Sequence, residues 1–196
     1  MSVERIQNAC RVGDIQTVRE FVSNKNNDLN QRDQTHFMRY LYIACINHQY
    51  DIAKLLLENG ADPNLESNLQ TVVCIDVMCE RGYYDMVELL LKHNALIKTQ
   101  FGSALHTACQ SGKIDIVQLL TNHGADVNDF MYGKTPLDCA CIGGHLDVVK
   151  FLVKNGANVF SRNAFGDTPV MVAQRYNHHE IIAFLEKQMQ PMMAHL

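Results

Sequence analysis

The chain has 196 residues, a formal net charge of −4 and a pI near 6.1; 47% of it is hydrophobic and 19% charged, enough to bury a continuous core. Its 17 Lys and Arg are scattered with no basic run, which argues against a nucleic-acid module built on a clustered basic face. No apolar stretch is long enough to cross a bilayer, and the start, Met1-Ser2-Val3-Glu4-Arg5-Ile6, lacks the layout of a signal peptide. Seven cysteines, an odd number, suit a reducing compartment better than a disulfide framework. The expectation is an intracellular protein, cytoplasmic or nuclear, monomeric when alone and without membrane or nucleic-acid partners.

Along the chain one phrase returns six times: two small residues, a Gly or a stand-in, and a helix rich in Ile, Val and Leu. It opens as Ala9-Cys10-Arg11-Val12-Gly13-Asp14, on a helix with no incoming loop and with polar Glu4, Arg5, Gln7 and Asn8. The second copy is Ala44-Cys45-Ile46-Asn47-His48, and the third is the looser Met78-Cys79-Glu80-Arg81-Gly82. Ala108-Cys109-Gln110-Ser111-Gly112 and Ala140-Cys141-Ile142-Gly143-Gly144-His145 follow, then the looser Ala173-Gln174-Arg175-Tyr176-Asn177. Cys10, Cys45, Cys79, Cys109 and Cys141 share one register, at spacings of 35, 34, 30 and 32 residues. Such a period marks a stack of supersecondary units rather than one globular core.

The fifth copy shows how a unit is built. Thr135 is a good N-cap and Pro136 suits the first helical position, so a helix should run from Pro136 to Gly143-Gly144. A second helix is predicted in Leu146-Asp147-Val148-Val149-Lys150-Phe151-Leu152-Val153-Lys154, with one apolar face, closed by Asn155-Gly156-Ala157. The next copy then opens at Asn163-Ala164-Phe165-Gly166-Asp167-Thr168-Pro169.

These residues resemble the ankyrin repeat family. Gly133-Lys134-Thr135-Pro136-Leu137, Gly166-Asp167-Thr168-Pro169-Val170 and Ala104-Leu105-His106-Thr107-Ala108 match its first-helix motif. Gly60-Ala61-Asp62-Pro63-Asn64 and Gly124-Ala125-Asp126-Val127-Asn128 match the end of its second helix. The resemblance implies an all-α solenoid of helix–turn–helix units with projecting loops. It is a single domain over 1–190, with repeats at about 1–30, 31–64, 65–98, 99–128, 129–160 and 161–190 and a short tail at 191–196. The second and third copies fade, with Arg39-Tyr40-Leu41-Tyr42 and Val73-Cys74-Ile75-Asp76 where Thr-Pro-Leu-His would stand. Polar residues at both ends, including Asn177, His178, His179, Glu180, Glu186, Lys187 and Gln188, read as the caps of a complete stack.

The chemistry-bearing residues read mostly as structural. Packed helices lie about 8–10 Å apart, whereas disulfide Cα atoms seldom exceed about 7 Å, so one cysteine per repeat suits packing rather than bonding or metal binding. The pairs Cys141/His145 and His106/Cys109 are spaced so that each could share a helix face, but two ligands do not make a site. In the family a histidine at the place of His106 hydrogen-bonds the turn. Asn64 and Asn128 stand where some ankyrin proteins are hydroxylated, although asparagines there usually satisfy loop backbone groups. No phosphate loop, nucleophile elbow or zinc-protease pair is present, so neither enzymatic activity nor a cofactor is expected.

The resemblance directs attention to a partner-binding surface. Phe101, Tyr132 and Phe165 each precede a turn glycine, and Phe37 holds a comparable site in the second repeat. In the family these loops form one rim of a concave face, where aromatics serve as interface anchors. Ile46, Glu80, Arg81, Gln110, Ile142, Arg175 and Tyr176, with Arg11, Asn47 and Ser111, stand at the first-helix ends, and the resemblance implies that they should face the same concavity. This row is chemically varied, as a specific partner requires. The expected function is non-catalytic protein binding. The alternatives are a scaffold subunit of a permanent complex, or an enzyme whose site carries no recognised motif.

Overall fold

The computed structural model describes residues 2–24, 27–30, 39–65, 73–99 and 102–193, and its backbone packs into two compact units, Met1–Gly102 and Ser103–Leu196. The N-terminal unit holds three helix pairs: α1 (Val3–Val12) with α2 (Ile15–Ser23), α3 (Tyr40–Ile46) with α4 (Tyr50–Glu58), and α5 (Cys74–Arg81) with α6 (Tyr84–Lys92). Two-residue strands β1 (Lys98–Thr99) and β2 (Gly102–Ser103) then pair with each other. The C-terminal unit repeats the plan with α7 (Ala104–Gln110) and α8 (Ile114–Asn122), α9 (Pro136–Gly143) and α10 (Leu146–Lys154), and α11 (Pro169–Arg175) and α12 (His179–Met193).

The helix ends follow from their residues. Ser2 accepts from the Arg5 amide, and Asp14 accepts from both the amide and the hydroxyl of Thr17. In the fifth repeat Thr135 Oγ1 accepts from the Asp138 amide at 3.2 Å, while Asp138 Oδ2 accepts from the Thr135 amide at 2.9 Å. This reciprocal cap starts α9 at Pro136, where the sequence places it. Helix α10 likewise keeps its predicted bounds.

Within each unit the first helices pack on one another, and Cys10, Cys45, Cys79, Cys109 and Cys141 are fully buried beside Ala9, Ala44, Met78, Ala108 and Ala140. A small thiol fits where two helix backbones approach closely, which is the role the register predicts. In the last repeat the same position is Gln174, which is exposed. In the C-terminal unit α7, α9 and α11 lie in closer contact with each other than α8, α10 and α12 do. The first helices therefore form the inner side of that stack. Burial of each Leu, Ile or Val along these rows contributes about 1.5–3 kcal/mol.

Polar side chains tie successive repeats together. Asn64 donates to the Asn94 carbonyl at 3.1 Å and accepts from the Leu96 amide at 2.7 Å. Asn128 does the same to the Gly156 carbonyl at 2.9 Å and the Asn158 amide at 2.8 Å, and Asn30 accepts from the Asp62 amide at 2.9 Å. An amide is suited to this, having a donor and an acceptor on one planar group. His106 Nε2 bonds the Lys134 carbonyl at 3.1 Å, the turn contact expected of it. At the other end of the first helices, His145 Nε2 bonds the Gln110 carbonyl at 3.0 Å and His178 Nε2 the Ile142 carbonyl at 3.3 Å. Gly112, at φ +67°, leaves room for the His145 ring, since a Cβ there would lie 2.3 Å from its Nδ1. In the second repeat His48 stands in the glycine's place at φ +54°; its ring stacks on Tyr83 at 4.2 Å and meets Asp85 at 3.1 Å.

Candidate partner-binding surface

The loops before α9 and α11 carry the most exposed large apolar side chains among the described residues. Met131 and Lys134 exchange both backbone hydrogen bonds at 3.0 Å, closing a two-residue hairpin over Tyr132 and Gly133. Both central residues have positive φ, +48° for Tyr132 and +76° for Gly133, the geometry of a type I′ turn. Asn-Gly is the usual pair in such a turn. A bulky tyrosine in the left-handed region costs roughly 1–2 kcal/mol. Yet the Tyr132 residue is 70% exposed, so little burial offsets that cost.

The following loop is built on Asn163, whose Oδ1 accepts from the amides of Phe165 at 2.9 Å and Asp167 at 3.0 Å. That turn lifts Phe165 to 75% exposure. The two loops are in direct contact, because the Ala164 amide donates to the Gly133 carbonyl at 2.9 Å. A Cβ on Gly133 would sit 2.5 Å from that of Ala164, so the glycine permits the approach. Tyr132 and Phe165 are the chain neighbours of this bonded pair and thus share one rim.

The row at the first-helix ends is displayed as well. In the C-terminal unit Gln110 is exposed at the end of α7, Ile142 half-buried near the end of α9, and Arg175 and Tyr176 exposed at the end of α11. Arg175 reaches back along α11 to Asp167 at 2.5 Å, a charge contact that lacks hydrogen-bond alignment, and its side chain stays 58% exposed. Met171, one helical turn before Arg175, is exposed between the loop rim and the helix end. Beneath the loops Asp138 is fully buried, and that burial pushes its carboxyl up; its bonds from Thr135 act in the opposite direction.

In the N-terminal unit Ile46 is half-buried, and Glu80 and Arg81 are exposed. Arg81 Nη1 donates to the Ile46 carbonyl at 2.6 Å, which brings those two together and closes the C-terminal end of α3. Phe37 and Phe101 lie outside the described residues. Sequence reasoning overlooked Phe130 and Met171, both exposed. Phe130 sits two residues before Tyr132 on the hairpin arm, and Met171 four before Arg175, so spacing from residues already singled out was the available signal. Among the described residues no three His, Cys, Asp or Glu side chains converge as a metal site would require, and no helix is long and apolar enough to cross a membrane.

Comparison with known proteins places this architecture. A family model described as ankyrin repeats matches residues 5–67 and 75–163. A putative ankyrin repeat protein of Acanthamoeba polyphaga mimivirus is 30% identical over 100 residues, 45% of this chain and 31% of that protein. A palmitoyltransferase of Kluyveromyces lactis is 32% identical over 110 residues, 54% of this chain but 15% of the enzyme. The chain thus spans less than a third of either relative by these matches. Among solved structures, an ankyrin repeat domain from Acinetobacter baumannii aligns with a TM-score of 0.84 at 27% identity, covering 94% of this chain and 97% of that one. The crystal structure of another ankyrin repeat protein gives 0.84 at 28% identity, covering 95% and 98%. Repeat signature, helix-pair architecture and these likenesses agree: the chain belongs to the ankyrin repeat family.

Proposed function

We propose that the protein is a non-catalytic binding module whose C-terminal unit holds a partner protein. Ankyrin repeats generally serve as protein–protein interaction modules. The partner would lie across the Tyr132 and Phe165 loop tips and along the first-helix ends at Gln110, Ile142, Arg175 and Tyr176. In the N-terminal unit Ile46, Glu80 and Arg81 would offer a smaller second row. The observation that carries this reading is Tyr132 itself: a strained backbone position holding a large ring out in solvent. Strain concentrates where function requires a side chain to be displayed. Exposed aromatic rings of this kind supply the few contacts that dominate most interfaces. The module would act inside the cell, as a monomer until it meets its partner. The activity of the palmitoyltransferase relative belongs to that enzyme, of which the match covers a small fraction.

The test compares wild type with Tyr132→Ala and with the Tyr132→Ala/Phe165→Ala double variant in affinity purification from the native source. A partner retained by wild type should lose about 2 kcal/mol or more of affinity for Tyr132→Ala, with the thermal midpoint little changed. Equal retention by all three proteins would move the site elsewhere.

A further inference from the structure

The charge distribution of the C-terminal unit narrows the partner's chemistry. Along the first-helix ends of α7, α9 and α11 stand Gln110, Ser111, Ile142, Arg175 and Tyr176, half-buried or exposed and with no carboxylate among them. The carboxylates nearest the inner face are withdrawn. Asp138 is fully buried in its cap with Thr135, and Asp167 is buried and engaged by Arg175. Other acidic residues of the unit occupy the second helices: Asp115, Asp147 and Glu180 in the first turns of α8, α10 and α12, and Glu186 farther along α12. Asp126 and Asp129 lie in the segment between α8 and the hairpin.

Cations, by contrast, flank the aromatic rim. Lys134 closes the Tyr132 hairpin, and Arg162 precedes the Phe165 turn, where its Nη1 donates to the Gly166 carbonyl at 2.7 Å. That bond fixes the guanidinium beside Phe165 without neutralising it. Arg175 shares its charge with Asp167 but keeps most of its side chain in solvent. Lys113 stands at the opposite end of the inner face, before α8. A helix as short as α11 spans about 10 Å, so the rim and the Arg175–Tyr176 end lie within reach of about three residues of extended chain.

Resting on the binding reading above, we infer that the segment taken by the C-terminal unit is an acidic peptide carrying an aromatic or large aliphatic anchor. The anchor packs against Tyr132 and Phe165. Flanking carboxylates pair with Arg162 and Lys134, and the chain continues along α11 to Arg175 and Tyr176. Arginine suits this role, since its fixed fork of donors can serve a backbone carbonyl and a carboxylate together. A basic segment would meet like charge at both ends of the face.

The experiment selects short random peptides displayed on phage against the whole protein, then measures synthetic copies by fluorescence anisotropy. The expected winners are rich in Asp and Glu around a Phe, Trp, Tyr or Leu. Their affinity should fall by about tenfold or more for Tyr132→Ala/Phe165→Ala and for Arg162→Gln/Lys134→Gln, and should weaken as salt is raised. Thermal midpoints of both variants report whether they remain folded, and the single variants Tyr132→Ala and Arg162→Gln stand in for a double variant that does not. Neutral or basic winners that still need Tyr132 and Phe165 would overturn the acidic inference and leave the binding reading intact. Winners indifferent to both variants, or no winners at all, would overturn both. A short single-stranded DNA serves as a control polyanion, and binding as tight as that of the selected peptides would replace a peptide partner with a nucleic acid.

Discussion

Replacing Tyr132 by Asn should separate stability from binding at one position. Tyr132 occupies the first central site of a type I′ turn at φ +48°, where an L residue with a bulky side chain pays roughly 1–2 kcal/mol. Asparagine tolerates that region far better, and Asn-Gly is the favoured pair for this turn. The ring's remaining contacts are modest, because 70% of the residue faces solvent. At about 25 cal/mol per Å² the buried remainder contributes on the order of 1 kcal/mol, an upper estimate since the unfolded chain shields part of it. The net change in folding free energy is therefore about zero to a gain of 1 kcal/mol. For a chain of this size that is a midpoint shift between nothing and about +4 °C. Circular dichroism melts of wild type and Tyr132→Asn measure the stability half, and peptide anisotropy measures the binding half. Affinity should fall while stability holds or rises. A loss of stability greater than about 1 kcal/mol would refute it, because the ring would then be loop packing rather than a displayed anchor.

Three further outcomes follow from the same geometry. Gly112→Ala should cost about 2–4 kcal/mol in thermal unfolding, since it combines left-handed strain with a clash against the His145 ring, whereas Gly124→Ala, with open space around its added Cβ, should cost only the strain of about 1–2 kcal/mol; equal losses would dismiss the packing role of His145. Burial pushes the Asp76 carboxyl up to about 6, so the native state holds the proton that the unfolded chain releases near pH 4. Stability from this site is present below about pH 4 and is lost as pH rises through 6, so the advantage of Asp76→Asn should grow across that window toward as much as about 3 kcal/mol; urea melts at several pH values giving a flat difference would contradict the assignment. Burial also pushes the thiols of Cys10 and Cys139 up to about 12 and those of Cys79 and Cys141 higher still, so maleimide labelling near neutral pH should be slow in the native protein and fast after denaturation, a result that rapid native modification of these four would reverse.

The repeat architecture was legible because several signals fall on the same residues. Thr135-Pro136 and Gly143-Gly144 mark both ends of α9 by local chemistry alone, and the structure adopts those limits. The cysteine register marked the packed row because helix spacing allows only a small side chain there. Asn64 and Asn128 could be read as backbone-satisfying residues, but their partners lie one repeat away and only the stacked chain reveals them. The candidate surface was less legible. Arg81 belongs to the groove row by its register, and its long side chain also closes the end of α3, a reach that sequence spacing does not encode. Phe130 and Met171 carry no periodic mark, because their exposure depends on the hairpin phase and on the outward face of a seven-residue helix. The strain at Tyr132 was invisible for a related reason: the turn type follows from the Met131–Lys134 pairing rather than from Tyr-Gly itself.

The proposed binding surface comprises the aromatic rim and the inner face of the C-terminal unit. Amide chemical-shift mapping by NMR during titration with a selected acidic peptide tests it most directly. The largest shifts should cluster at residues 130–134, 162–167 and 175–176, with a smaller group at 142–143. A cluster on α8, α10 and α12, with the rim unmoved, would contradict it.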